Sequence, residues 1–492
     1  MQSTLVGTAI TLPAPLGKDA ATPLPLSLQA PLPVGKGEVA LDLGQLMRLR
    51  GRMGAGSDMT GLIQFGGGPL APLPAEGLVA LGSSGTLDAA GWIAFAAKGD
   101  GTGGLRAVDL RVAQLGLLGS TFPDTRLRLQ RATDHTEVLL TGAAIEGNVR
   151  IPTDLDLGVQ GQFERLHWPD KPPPPEVAAT EVVAAPDVEE APGQDPRALP
   201  ALRFSVKDLR MGALALGEAQ LQATPVANGL RVDRFTTRAA AMQLTASGDW
   251  LRAGEGRSRS RFDVDFAAGS LGELLAAFGL AGVVEDGETK GKLQGSWRGS
   301  PGEFALARFD GRLRVDVGEG QLLDVEPGGG GRVLGLISLA EIPRRLSLDF
   351  SDFFEKGFGF NTMGGEFVFA DGSASTDLLL INGPAAEIRV SGSTDLRLQR
   401  YDQRIEVLPK AGGALPVLGA LAGGPVGAAV GAVAQAVLQK PLKQAARTVY
   451  SVSGPWKEPK VVEIEKGPPP AGGKAPAIRF LQTPQNKTDP LK

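Results

Sequence analysis

General acid–base or metal chemistry needs side chains that titrate or ligate at close spacing, and this chain is poor in them. It has two histidines, His135 and His167, and no cysteine. A His-based triad or a multi-His metal site would need one of the two, and neither sits in a recognisable motif. The absence of cysteine also removes disulfides and thiolate chemistry, which is compatible with a periplasmic location. The carboxylate pairs Asp154/Asp156 and Asp263/Asp265 are two residues apart. On a strand that spacing puts both members on one polar face, which reads as solvated charge rather than the flanking pair of a hydrolase. Gly328 to Gly331 run into Arg332 without the Lys-Ser/Thr ending that a phosphate loop uses on its phosphates and Mg²⁺, so they read as a turn. Arg257/Arg259/Arg261 and Arg344-Arg345 are short solvent-facing clusters, and a net charge of −4 gives no basic field to attract nucleic acid. Nothing assembles a nucleophile, a base and an oxyanion site, so the chain reads as no enzyme, with no cofactor and no metal.

What remains is a scaffold, and the composition says of what kind. Among 492 residues are 68 glycines and 37 prolines, too many for long helices. Spread between short apolar runs, they punctuate a many-stranded sheet. Alternation of apolar and polar residues is clear in Thr125–Gln130, in Asp154–Val159, in Arg261–Phe266 and in Arg312–Val317, each placing its apolar side chains on one face. Ser270, Glu273 and Gly279 cap and end one short helix near 270–279, and 332–341 is a second helical candidate. The expected organisation is a β segment over 1–168, a Pro-rich acidic linker or loop over 169–200, and a second β segment over 201–410. A Gly/Ala-rich helical segment over 411–449, a closing strand over 450–465 and a disordered tail over 466–492 complete it. The start of the chain carries no basic residue before Lys18, and Pro13 and Pro15 interrupt its apolar run; it reads as neither signal peptide nor transmembrane start.

Two further features stand out. Trp250, Trp297 and Trp456 each follow a glycine by two residues, a recurring strand with a glycine kink and a tryptophan closing one edge of the apolar face. Between Lys410 and Lys440 no residue is charged. Gly419, Gly423, Gly427 and Gly431 recur every four residues there, permitting close helix contact, while Pro416 and Pro425 argue against a simple span. Leu415, Val417, Leu418, Leu421, Val426, Val430, Val433, Val437 and Leu438, with the basic end Lys440, Lys443 and Arg447, either meet a membrane with anionic headgroups or cap the β-structure.

From Gly318–Leu323 through Arg332–Leu339 and Pro343–Phe350, and on through Lys356–Phe360, Gly383–Ala386, Gly392–Leu396, Tyr401–Gln403 and Val452–Trp456, the sequence resembles the C-terminal portion of the YhdP family, in the AsmA-like superfamily. Leu12–Lys18 and Leu199–Leu202 resemble it too. The resemblance implies a long twisted open sheet, a β-taco, folded around an apolar groove. It further implies a protein that spans the periplasm of a Gram-negative cell and moves phospholipid between inner and outer membrane, supporting outer-membrane lipid homeostasis. The partners so implied are phospholipid, the two membranes and a protein at the outer membrane. The N-terminal anchor of full-length members is absent from this chain, which is therefore expected to be periplasmic and membrane-associated as one part of such a protein. Phe262, Val264 and Phe266 with Leu313, Val315 and Val317 are the candidate groove lining, although a closed sandwich core would give the same alternation. A structural or adhesive β-protein with a closed core and no lipid ligand is the competing reading.

Overall fold

The computed structural model describes residues 1–31, 37–53, 59–97, 105–117, 120–169, 195–212, 214–254, 257–277, 283–323, 357–410, 447–456 and 458–467. Short polar–apolar alternation makes most of these residues strand. In chain order the strands are β1 (Gln2–Ser3), β2 (Leu26–Gln29), β3 (Glu38–Leu43), β4 (Met47–Met53), β5 (Met59–Phe65), β6 (Leu78–Asp88), β7 (Leu105–Leu117), β8 (Ser120–Arg131) and β9 (His135–Thr141). Next come β10 (Ile145–Pro152), β11 (Val159–Trp168), β12 (Leu202–Met211), β13 (Leu214–Val226), β14 (Gly229–Arg238), β15 (Met242–Arg252), β16 (Ser258–Ala268), β17 (Val284–Asp286), β18 (Thr289–Arg298) and β19 (Asp310–Val317). The last are β20 (Gly320–Leu322), β21 (Phe358–Phe360), β22 (Thr362–Ala370), β23 (Ser373–Asn382), β24 (Ala386–Asp395), β25 (Arg400–Pro409), β26 (Arg447–Pro455) and β27 (Lys460–Gly467). The α-helices among the described residues are α1 (Ala89–Ala97) and α2 (Leu271–Ala277). Twenty-four strands share one sheet and three form a second, the mainly β, open, antiparallel-rich architecture that the turn-punctuated sequence predicts.

The chain divides into two units. The first comprises Met1–Ala239, Ala246–Ser260 and Arg298–Glu303; the second comprises Ala240–Thr245, Arg261–Trp297 and Phe304–Lys492. In the first, β1 to β14 pair in sequence order, antiparallel except for the parallel pairs β5–β6, β6–β7 and β11–β12. Parallel neighbours require a crossover, and α1 supplies the one from β6 to β7. Its nine residues contain no polar side chain, and nothing in the strand pattern around it announces it. In the second unit β18, β19 and β22 to β27 form an antiparallel ladder, and β17, β20 and β21 form the separate small sheet. Among the described residues neither ladder closes on itself.

Local chemistry explains the turns. Asp371 and Gly372 hold φ of 51° and 78° between β22 and β23, the left-handed pair that a two-residue hairpin demands. The α2 N-terminus is capped as its sequence predicts, with the Glu273 amide donating to Ser270 Oγ at 3.2 Å. Asp154–Val159 departs from expectation: its alternation reads as strand, but Leu155–Leu157 is a 3₁₀ turn. Asp154 Oδ1 accepts the Asp156 amide at 3.1 Å, so a local side-chain bond outcompetes the ladder. Leu155 and Leu157 are left exposed. The sequence regions 332–341 and most of 169–200, of 411–449 and of 466–492 lie outside the described residues.

Candidate functional site

Residues paired across a ladder share a face, so the printed registers show what each face presents from strand to strand. From β2 to β7 one such row reads Leu28, Leu41, Leu49, Ile63, Ala80 and Val108. It continues through β8 to β14 as Leu129, Val138, Val149, Gly161, Phe204, Leu221 and Phe235. Two residues along each strand runs a second row on the same face: Leu26, Leu43, Met47, Phe65, Gly82 and Leu110. This row proceeds through Leu127, Leu140, Gly147, Phe163, Val206 and Ala219 to Thr237. No charged residue interrupts either row over thirteen strands. At roughly 4.8 Å per strand, twelve steps give a contour on the order of 58 Å.

The opposite face has the opposite chemistry. The row between the two apolar rows reads Ser27, Asp42, Arg48, Gln64, Leu81 and Asp109, then Arg128, Leu139, Asn148, Gln162, Ser205, Gln220 and Thr236. Arg126 donates to both Asp109 oxygens at 2.7 and 2.6 Å. That hydrogen bond and the charge behind it hold the Asp109 carboxyl below its ordinary range against the opposing pull of burial. The first unit is therefore amphipathic from face to face.

The two apolar rows differ in access. From β7 to β14 every residue of the second row is buried, Leu110, Leu140 and Phe163 among them, whereas Val108, Leu129, Val138, Val149, Phe204, Leu221 and Phe235 of the first row stay half-buried. The second row is packed, and the first keeps part of its apolar surface uncovered. At β11 the first row carries Gly161, and the rings of Phe204 and Phe163 close over it. A Cβ there would come within 2.8 Å of Phe204 and 3.0 Å of Phe163. The aromatic rings so fill the gap that a missing side chain leaves.

The lining residues expected from sequence all lie in the second unit. Phe262, Val264 and Phe266 alternate along β16 as half-buried residues with exposed Arg261, Asp263 and Asp265. Leu313 and Val315 on β19 are half-buried, and Val317 is buried. Phe262, Leu313 and Val315 pack against a buried core cluster that contains Val317. Phe262 stacks on Trp297, with ring centroids 5.5 Å apart, and the Phe266 ring lies over Gly291. The structure thus puts all six on apolar faces of their strands. The longer half-buried row, in the first unit, was not singled out, because alternation is visible in one strand while register between strands is not.

Of the segment expected to meet a membrane or cap the sheet, Leu415, Val417, Leu418, Leu421, Val426, Val430, Val433, Val437, Leu438, Lys440 and Lys443 lie outside the described residues. Arg447 opens β26, its guanidinium engaging Glu406 and, at 2.6 Å, Glu465. Among the described residues no helix is long and apolar enough to cross a membrane, and no group of His, Asp and Glu could hold a metal ion. His135 Nδ1 lies 2.7 Å from Asp134 and His167 Nε2 lies 2.8 Å from Asp208. Trp250 and Trp297 are buried, and Trp456 donates its indole N–H to Thr394 Oγ1 at 3.1 Å.

Comparison with known proteins agrees with this architecture. A family model described as YhdP protein matches residues 1–461. The intermembrane phospholipid transporter YhdP of Escherichia coli (strain K12) is 24% identical over 226 residues, which cover 46% of this chain and 18% of that protein. The match thus spans less than a fifth of the relative's length. No solved structure matches the chain.

Proposed function

The chain belongs to the YhdP family, and from that premise we propose that its first unit carries phospholipid acyl chains along the half-buried apolar row, as one part of a periplasm-spanning lipid-transfer protein between inner and outer membrane. The observation that carries this reading is the pair of apolar rows, unbroken by charge over thirteen strands with Thr237 their one polar member, backed by a polar face. Moving a phospholipid through water exposes roughly thirty CH₂ groups at ~0.8 kcal/mol each, about 24 kcal/mol. A continuous apolar track removes most of that barrier by keeping the chains dry while the headgroup stays in water. No bond is made or broken, so the reading asks for no catalytic residue, cofactor or metal. The chain so placed is periplasmic and membrane-associated, and contributes to outer-membrane lipid homeostasis through phospholipid, the two membranes and a partner protein at the outer membrane.

Photo-crosslinking amino acids at Leu129 and Phe204 test it, with Phe266 and Val315 as the corresponding positions of the second unit. Incubated with phospholipid vesicles, the protein carrying a crosslinker at Leu129 or Phe204 is expected to yield a lipid adduct by mass spectrometry. Adducts formed only with neighbouring protein side chains would instead establish a structural β-protein with a closed core.

A further inference from the structure

The second unit repeats the two-row pattern, but its face is covered. Val317, Met363, Ile381, Ile388 and Val407 follow one another by register across β19 and β22 to β25, and none exceeds 6% exposure. They belong to one buried cluster with Val284 of β17 and with Phe358 and Phe360 of β21, against which Leu271 and Leu275 of α2 and Leu322 of β20 also pack. The small sheet and α2 therefore pack into the cluster that contains this row, whose counterpart in the first unit is half-buried.

The backbone pairing within this cover is slight, and its hold rests on its apolar side chains. Its strands share three residue pairs at each of their two interfaces, whereas β24 and β25 of the large sheet share ten. Few ladder bonds and short elements place a segment at the low end of local stability. Glycine stands at the junctions with the large sheet: Gly269 between β16 and α2, Gly287 between β17 and β18, and Gly318 between β19 and β20. Gly287 and Gly357, the latter just before β21, sit at φ of 89° and 88°. These positions can absorb the backbone rotation of a hinge. Removing the cover would bare an apolar face, and an acyl chain laid on that face restores the burial that Phe358 and Phe360 provide. The exchange is apolar for apolar, so its net cost is far below that of exposing the face to water.

We propose that the small sheet and α2 form a displaceable cover over the apolar face of the second unit, which opens to let a phospholipid acyl chain take its place. The identity of the replacing molecule rests on the lipid-carrying reading; the opening itself does not. Because the chain has no cysteine, single cysteines report opening without background. Val317→Cys lies where the cover meets the large sheet, since a Cβ at Gly287 would fall 2.8 Å from Val317 and 3.4 Å from Leu271 of α2, and Leu115→Cys, also buried, lies in the first unit. In the absence of lipid, maleimide should label Val317→Cys at least tenfold faster than Leu115→Cys. Phe360→Ala should raise the first rate roughly tenfold more and leave the second unchanged. Leu275→Ala on α2 is the milder variant should Phe360→Ala lose the β-sheet circular dichroism. Equal labelling rates at the two sites, or no response to either variant, would overturn the cover. With a phospholipid bearing a photoreactive acyl chain, adducts should form on β7 to β14 and, increased in the loosened variant, on β22 to β26. Adducts on β7 to β14 with none on β22 to β26 in that variant refute the exchange. Absence of adducts everywhere refutes the lipid reading while the labelling rates still decide whether the cover opens.

Discussion

Val138 and Leu139 are adjacent on β9, yet they belong to opposite faces. Val138 stands in the half-buried apolar row between Leu129 and Val149, while Leu139 is 38% exposed on the polar face. Val138→Asp and Leu139→Asp therefore add the same charge a residue apart with opposite expected results. Losing about half of a valine's burial costs on the order of 1 kcal/mol, within a typical stability of ~5–15 kcal/mol, so both proteins fold. In the track, however, a passing acyl chain meets a carboxylate that must either shed its water or keep it. Shedding costs several kcal/mol per ion. Keeping it wets roughly five neighbouring CH₂ groups, about 4 kcal/mol. Either route adds about 4 kcal/mol to the barrier, which at ~1.4 kcal/mol per factor of ten slows transfer roughly a thousandfold. The assay is movement of a fluorescent phospholipid from donor to acceptor vesicles, with circular dichroism as the folding control. A folded Val138→Asp protein that transfers at the parental rate, or a Leu139→Asp protein that fails equally, would refute the assignment of faces.

Two further outcomes follow from single positions. Gly82 on β6 has φ of 119° and a Cβ there would lie 2.1 Å from the Phe65 carbonyl oxygen, whereas Gly85 on the same strand has nothing within 4 Å. Gly82→Ala should lower the unfolding free energy by about 2–3 kcal/mol in urea titration, and Gly85→Ala should change it by less than ~0.5 kcal/mol; equal effects would refute the close approach. Asp195 is held at about 2, below its usual 3.8, first by its hydrogen bond with Arg197 and further by the charge of Arg252. Since the folded value is the lower one, its contribution to stability is complete above pH ~3.8 and disappears as pH falls through about 2. Asp195→Asn should flatten the stability profile in that window, which denaturant midpoints between pH 2 and 5 would register.

The strands and the cap of α2 were legible because they are local: alternation in β8, β16 and β19, and Ser270 three residues before Glu273, need no partner to be recognised. Leu155 and Leu157 misled for a related reason, since alternation was present but the Asp154 side chain bonded its own backbone first. The two apolar rows were not legible. They depend on twelve registers, and these include bulges such as the one between Glu146 and Gly147 and parallel pairs that alternation cannot distinguish from hairpins. The candidates drawn from β16 and β19 came from alternation within single strands, whereas β17, β20 and β21 are three residues long, too short to leave a pattern.

A row built from one residue per strand has a modular consequence. Its reach depends on how many strands are laid side by side and on no residue in particular. Duplicating one antiparallel hairpin would lengthen the conduit by about 9.6 Å and keep every side chain on its face, because a hairpin enters and leaves the sheet on the same side. A single residue inserted inside β9 would do the reverse, turning either Val138 or Leu140 outward unless a bulge absorbed it. Such a scaffold changes length by whole hairpins, whereas its tolerance to change within a strand comes in steps of two residues.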